Sequence, residues 1–395
     1  MSNLPQRDAG FRQGIVLTLT PILAVMGFVL VAPILGTMQQ HFASVPHAEF
    51  WVPMVMTAPA LCIALLSPLA GVLADKHGLR RILLGALVIY TIFGTAPLYL
   101  DSLGAIVATR IGVGVAEAAI LTCTTALVAA YYQGDERRKW LAYQAGAAPA
   151  AATLLLVLGG LIGSGGWRMP FAGYAFSALV LLGVAVYIWE PLPASKEHVA
   201  PAPMPWLHLL KVGVFALFAS FIFYIVPAEL AFILGQLGFG SPSTVGFVIA
   251  VGTLFVPAGT LSSRPLSKLP VGQVLCGAVF FMGVGLGLIG IAHSLPAVVA
   301  GVIVHQFAGG VMLPTAMNYA INGLSKSQQG RGLGLWWSIY FIAQFLTPIS
   351  VTLMSKATGG LPTALLVYGG LSIAFCLPIM MFANNPLQPH EDEAG

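Results

Sequence analysis

Long apolar runs dominate this chain and leave little choice of architecture. Segments near 14–39, 50–74, 82–100, 103–130, 140–163, 169–189, 208–235, 243–262, 270–293, 295–322, 332–356 and 362–385 are mostly free of charge. Each is about as long as the roughly 20 residues that a helix needs to cross a bilayer core. In lipid every backbone N–H and C=O must be bonded internally, so only helices and closed barrels span. A barrel would read as alternating strands of about ten residues, and no such pattern is present. Composition agrees, with 58% hydrophobic and 8% charged residues, against about 25% charged in ordinary soluble domains. The mean hydropathy is +0.90. The expected fold is an all-α polytopic membrane protein of twelve transmembrane helices. The first apolar run has no small-residue cleavage site after it, so it reads as a retained helix, not a signal peptide.

Orientation follows from the loop cations. With the N-terminus cytoplasmic, that side holds fourteen lysines and arginines: Arg7, Arg12, Lys76, Arg80, Arg81, Arg137, Arg138, Lys139, Lys196, Lys211, Arg264, Lys268, Lys326 and Arg331. The other side holds two, Arg168 and Lys356. Both termini are therefore expected in the cytoplasm of a bacterial-type inner membrane. The net charge of +4 reflects this bias and gives no warrant for nucleic-acid binding. Cys62, Cys123, Cys276 and Cys376 stand singly inside helices without metal or redox spacing, which reads as packing.

The most hydrophilic long connection, EPLPASKEHVAPAPMPW, splits the helices six and six. Its prolines make it a semi-rigid tether. The expected organisation is a bundle over 1–189, a cytoplasmic link over 190–207 and a second bundle over 208–395. The halves echo each other: GVLADKHGLRR follows helix two and GTLSSRPLSKLP follows helix eight, while DERRKWLAY enters helix five and QQGRGLGLW enters helix eleven. Matching positions in two halves point to a duplicated transporter whose site lies between the repeats. Chance likeness of loops that are merely basic is the plainer reading.

GVLADKHGLRR resembles the loop signature of the major facilitator superfamily, G-x-L-A-D-R-x-G-R-K/R. Gly71, Leu73, Ala74, Asp75, Gly78 and Arg81 match it, Lys76 substitutes conservatively, and Arg80 extends the basic end. The glycines permit a tight turn and close helix approach. Asp75 suits a helix N-terminus or a basic neighbour. The resemblance implies a gate at Gly71, Asp75, Gly78, Arg80 and Arg81 that latches the two halves in the outward-facing form. The reading without the family is that these charges set topology.

Ionisable residues inside spans need a reason, since a central charge costs at least about 2.5–3.5 kcal/mol. Arg110 and Glu117 lie on helix four and Glu229 on helix seven. IVATRIGVGVAEAA resembles the superfamily's fourth-helix motif, which makes Arg110 the proton-relay arginine and Gly114 its matching glycine. Seven residues separate Arg110 from Glu117, about 10.5 Å along one helix face. They meet with both side chains extended or through water, and Gly112 and Gly114 leave room for either. Glu117 is expected to be the titrating group, with cavity wetting and Arg110 setting its protonation. The other readings are a permanent ion pair, or Arg110 as anchor for an anionic substrate. Glu229 lies toward the outer end of helix seven, placed to snorkel to the interface.

A candidate substrate cavity collects Gln144, Tyr224, Glu229, His305 and Gln306 with a helix-eleven stripe of Trp337, Tyr340 and Gln344. Any one of these also serves as interhelical packing. A mostly apolar pocket with few polar groups suits amphipathic small molecules. Gly285-Leu-Gly287-Leu-Ile-Gly290 satisfies G-x-G-x-x-G but lies inside an apolar span with no strand before it, so it reads as helix packing. No phosphate-binding GxxxxGK[ST] loop exists. No enzymatic constellation, cofactor or metal is expected, and the proton gradient is the available drive. A monomer is expected, with lipid, protons and a small-molecule substrate as partners.

Within the superfamily the chain looks most like the twelve-helix bacterial drug:proton antiporters, through GRGLGLWWSIYFIAQFLTP and YIVPAEL. It departs at helix five, where the antiporter signature G-P-x-x-G-G reads LLVLGG: Gly159 and Gly160 are kept, and Leu155 and Leu156 replace Gly-Pro. The expected function is proton-coupled export of small hydrophobic or amphipathic compounds by alternating access, of the multidrug-resistance kind. The alternative is proton-coupled uptake of a small metabolite, anionic or neutral.

Overall fold

The computed structural model describes residues 9–191, 203–266, 268–322 and 324–383. Twelve helices among them are long and apolar enough to cross a membrane. They are α1 Phe11–His41, α2 Ala48–His77, α3 Leu79–Leu98, α4 Leu103–Tyr131, α5 Gly134–Gly163, α6 Met169–Tyr187, α7 Trp206–Gln236, α8 Pro242–Ser263, α9 Val271–Gly290, α10 Leu295–Ile321, α11 Gln328–Thr358 and α12 Leu361–Met380. No strand occurs among the described residues. Residues 192–202 of the expected central link, Lys196 included, lie outside them, as does Arg7.

Helix α1 is broken where its prolines require it. It runs as Phe11–Leu19, Ile22–Val29, a tight turn Ala32–Ile34, and Leu35–His41. Pro21 has no N–H to give the Leu17 carbonyl. Gln144 Nε2 of α5 donates to that oxygen instead, at 2.7 Å. At the second break Val31 N–H turns to Phe28 O, 3.3 Å. That frees the Gly27 carbonyl, which accepts the Tyr174 hydroxyl of α6 at 2.9 Å. Tyr90 of α3 donates to Leu23 O at 2.6 Å. The broken helix is thus held by side chains of three neighbours.

Helices α2 and α4, α3 and α4, α9 and α10, and α8 and α10 pack closely within each set of six. Between the sets the main contacts are α2 with α11 and α5 with α8. Exchanging helices 1–6 for 7–12 turns one pair into the other, as a two-fold repeat demands. At the face away from the chain termini α5 and α8 touch backbone to backbone, and α2 and α11 are joined through side chains. A Cβ on Gly246 would lie 2.5 Å from Leu156 O and 3.0 Å from the Gly160 Cα. Lys356 Nζ bonds Glu49 Oε1 at 2.6 Å and lies 4.7 Å from the Phe50 ring centroid. Midway, Ser338 Oγ donates to Ala64 O at 3.1 Å. The stretch Ala32–His41 of α1 packs on α7 and α8, whereas among the described residues no comparable packing joins its Phe11–Leu19 stretch, at the terminal face, to the second six helices. The halves are closed at the opposite face and part toward the termini.

Candidate functional site

The gate motif is almost wholly helical. Helix α2 runs to His77 and α3 starts at Leu79, so the expected loop shrinks to Gly78, whose φ of 98° favours glycine. Gly71 is not demanded by close approach, since a Cβ there would meet Thr122 at an ordinary 3.7 Å. The carboxylate that caps α3 is Glu190, which accepts from Leu79 N (2.7 Å) and Arg80 N (3.0 Å). Arg80 Nε donates to Ile188 O at 2.6 Å and its Nη2 to Ala185 O at 2.9 Å. These bonds join α3 to the end of α6 within the first six helices and do not cross to the second six. Asp75 and Arg81 are exposed.

Arg110 and Glu117 are both buried, at 0% and 2% exposure, and they do not form the ion pair that their spacing allowed. Arg110 Nη2 donates to Phe93 O at 2.7 Å and Gly94 O at 3.3 Å. Its guanidinium lies 5.1 Å and 5.0 Å from the ring centroids of Phe171 and Tyr174. Cation–π contact and frayed carbonyls at the end of α3 thus hold the charge. The glycines between them do not open space either: a Cβ on Gly112 would lie 2.6 Å from Phe93, and one on Gly114 2.6 Å from Pro59. They let α3 and α2 approach α4.

Glu117 reaches across to α1. A methyl group on Gly27 would overlap its carboxyl, and its Oε1 is buried without a partner. The carbonyl of Gly27 holds Tyr174, whose ring lies against Arg110. Arg110 and Glu117 are therefore linked through Tyr174 and the break in α1. Arg110 Nη1 is likewise without a partner.

Beside Glu117 the two halves meet in aromatic rings. Phe28 of α1 stands edge-on to Tyr224 of α7, centroids 5.8 Å apart, and Tyr224 edge-on to Tyr340 of α11 at 5.1 Å. Trp336, which the sequence stripe missed, stacks on Tyr340 at 5.3 Å and is 2% exposed, with its Nε1 unpartnered. Trp337 is 37% exposed and meets Tyr340 edge-on. Gln344 is buried with Oε1 unpartnered. The stripe is thus 336–340–344: Tyr340 and Gln344 are buried as part of it, Trp336 takes the place expected of Trp337, and the adjacent tryptophans concealed the choice.

The other expected cavity residues lie elsewhere. Gln144 is spent on Leu17 O. His305 is fully buried, its Nε2 3.1 Å from Ile222 O and its Nδ1 3.3 Å from Gln306 Oε1, and it fastens α10 to α7. Glu229 is 5% exposed and does not snorkel. Five residues past Tyr224, it points about 140° away, among Leu286 and Ile289 of α9 and Leu365 of α12. No group of three or more His, Cys, Asp or Glu that could hold a metal occurs among the described residues.

Residues 17–348 match the model of the Major Facilitator Superfamily. The chain belongs to that superfamily. Among superfamily relatives, the class G tetracycline resistance protein of Vibrio anguillarum is 26% identical over 379 residues, covering 91% of this chain and 94% of that protein. The multidrug efflux protein YfmO of Bacillus subtilis (strain 168) is 23% identical, covering 85% and 84%. A D-xylose–proton symporter of known crystal structure superposes with a TM-score of 0.80 at 14% identity, covering 96% and 99%. The superfamily fold is therefore shared across these proteins. This chain is a membrane transporter of that superfamily, with a small-molecule substrate.

Proposed function

We propose that this transporter is a proton-coupled exporter of small hydrophobic or amphipathic compounds, working by alternating access from an inner membrane with both termini cytoplasmic. The observation that carries this reading is Glu117. It is buried at the fifteenth residue of the 29 in α4, its Oε1 has no partner, and it adjoins the ring cluster where the halves meet. A lone acid that can exchange a proton for an apolar guest needs no anchoring cation. Arg110 gives Nη2 to backbone carbonyls and its face to two rings, which leaves only Nη1 for a solute and supports export over uptake of an anionic solute. The names of the two efflux relatives point the same way. The departure at helix five does not remove close packing, because Gly160 still meets Gly246. With the termini cytoplasmic, the halves are inward-open. In the cycle Glu117 releases its proton inward, solute enters between the rings, the halves rock, and reprotonation from outside drives release.

The test is transport in proteoliposomes under an imposed pH gradient, with an internal pH dye and lipophilic cations, neutral drugs and organic acids as probes. Substrate-dependent proton movement opposite to solute is expected. Glu117→Gln is expected to bind solute and lose gradient-driven transport. Protons moving with the solute, or a Glu117→Gln variant that pumps uphill at the wild-type rate, would overturn the reading.

A further inference from the structure

We infer that Glu229 is a second proton-carrying group, housed in the C-terminal six helices and separate from the Glu117 site, so that each transport cycle moves two protons. The inference rests on the proton-coupled reading above and extends it to stoichiometry.

The argument begins with the surroundings of the side chain. Glu229 is 5% exposed and its Oε1 is buried without a hydrogen-bond partner. It lines a cavity of about 10 Å³ whose other walls are aliphatic, including Leu230, Ile233, Leu286, Ile289 and Leu365. That is room for about one water. No lysine, arginine or histidine bonds it among the described residues. A bare carboxylate in such a place costs several kcal/mol. An acid whose only use was packing would serve better as leucine, which the cavity already favours. Retaining a carboxyl there makes sense if it takes up and gives off a proton.

Neighbouring elements bring little charge to bear. On α12, the Tyr368 hydroxyl is bonded to Ser350 Oγ of α11 at 2.7 Å. On α10, His305 lies about two turns nearer the terminal face, at Ile222, with both ring nitrogens engaged. Lys356 at the end of α11 is held by Glu49, and Tyr340 faces the ring cluster. Helices α8 and α9 contain no Asp, Glu, Lys, Arg or His. Of the titratable residues on α1, His41 sits against Trp167 and Arg12 is at the terminal end. Proton occupancy at Glu229 is therefore set by water access, not by a fixed counter-charge.

Position supplies that access. Glu229 lies seven residues before Gln236, about 10 Å from the end of α7 at the closed face. Helix α7 is also an interface element: a Cβ on Gly36 of α1 would lie 3.3 Å from Ala231 O, and Phe28 meets Tyr224. Glu229 itself faces α9 and α12, on the side of α7 away from that interface, so water enters where α7 shifts against α9 and α12 as the halves part at that face. Closing it, as here, seals the acid in.

The decisive quantity is the limiting solute gradient, which depends on proton number and not on rate or on the fraction of active protein. With membrane potential clamped at zero and a pH difference of one unit, a neutral probe should reach about a hundredfold gradient with two protons and about tenfold with one. The wild-type transporter is expected near a hundredfold and Glu229→Gln near tenfold. A wild-type limit of tenfold overturns the inference even if the variant does not fold, and so does a Glu229→Gln variant that keeps the hundredfold limit. If the wild type moves no protons with any probe, the reading of proton-coupled export fails, and this inference with it. A tenfold wild-type limit leaves that reading standing.

Discussion

Replacing Gly246 by alanine tests whether the glycine contact at the closed face sets the resting state. The added Cβ would stand 2.5 Å from Leu156 O, 3.0 Å from the Gly160 Cα and 3.3 Å from Gly160 N. All three partners are backbone, so α5 and α8 must separate. Overpacking of this kind costs about 1–3 kcal/mol. The cost falls on the state in which α5 and α8 touch and vanishes when they part. The equilibrium should therefore move toward an outward-open form by about 5- to 150-fold. Spin labels at Ser164 and Ser241, both exposed near this contact, report it by pulsed dipolar distance measurement in a background without the four native cysteines. A longer distance population should grow in Gly246→Ala. An unchanged distribution together with an unchanged Tm would refute the reasoning, because it would mean that the helices absorb a methyl group without moving.

The ion pair at the same face should matter far less. Lys356 and Glu49 side chains are 54% and 39% exposed, and such pairs are worth about 0–1 kcal/mol. Glu49→Gln should shift the same distance populations by no more than about fivefold, and by less at high salt; a shift larger than that of Gly246→Ala would reverse the ranking. Glu190→Ala removes the carboxylate that caps α3 and should cost about 0.5–2 kcal/mol, read as a lower Tm in detergent. The loss should be largely restored in Glu190→Asp only if the shorter acid still reaches Leu79 and Arg80 N–H.

Several elements were legible because their physical cause is local. The spans follow from run length; the break in α1 at Pro21 and Pro33 was not anticipated, although its cause is local. The gate glycine followed from its motif, and Gly78 does carry the positive φ. Glu117 was legible as an acid in an apolar run. Its relation to Arg110 was not: spacing put both on one face, but neighbouring helices supplied nearer partners, the carbonyls of α3 and the rings of α6. Glu190 stood at the start of a hydrophilic link and gave no sign that it folds back onto α3. Trp336 and Trp337 differ by one helical step, and only the packed partner decides which ring is buried.

What the sequence determined by itself is therefore everything that the bilayer and the backbone impose: twelve helices, no strands among the described residues, and which few polar groups must be explained. Hydrocarbon penalises each unsatisfied group strongly enough that composition alone settles those points. Which polar groups meet was decided only by tertiary structure. Arg110 turned to α3 and α6, Glu117 to α1, and Glu229 inward between α7, α9 and α12, because the choice among partners at similar helical spacing depends on which helices lie side by side.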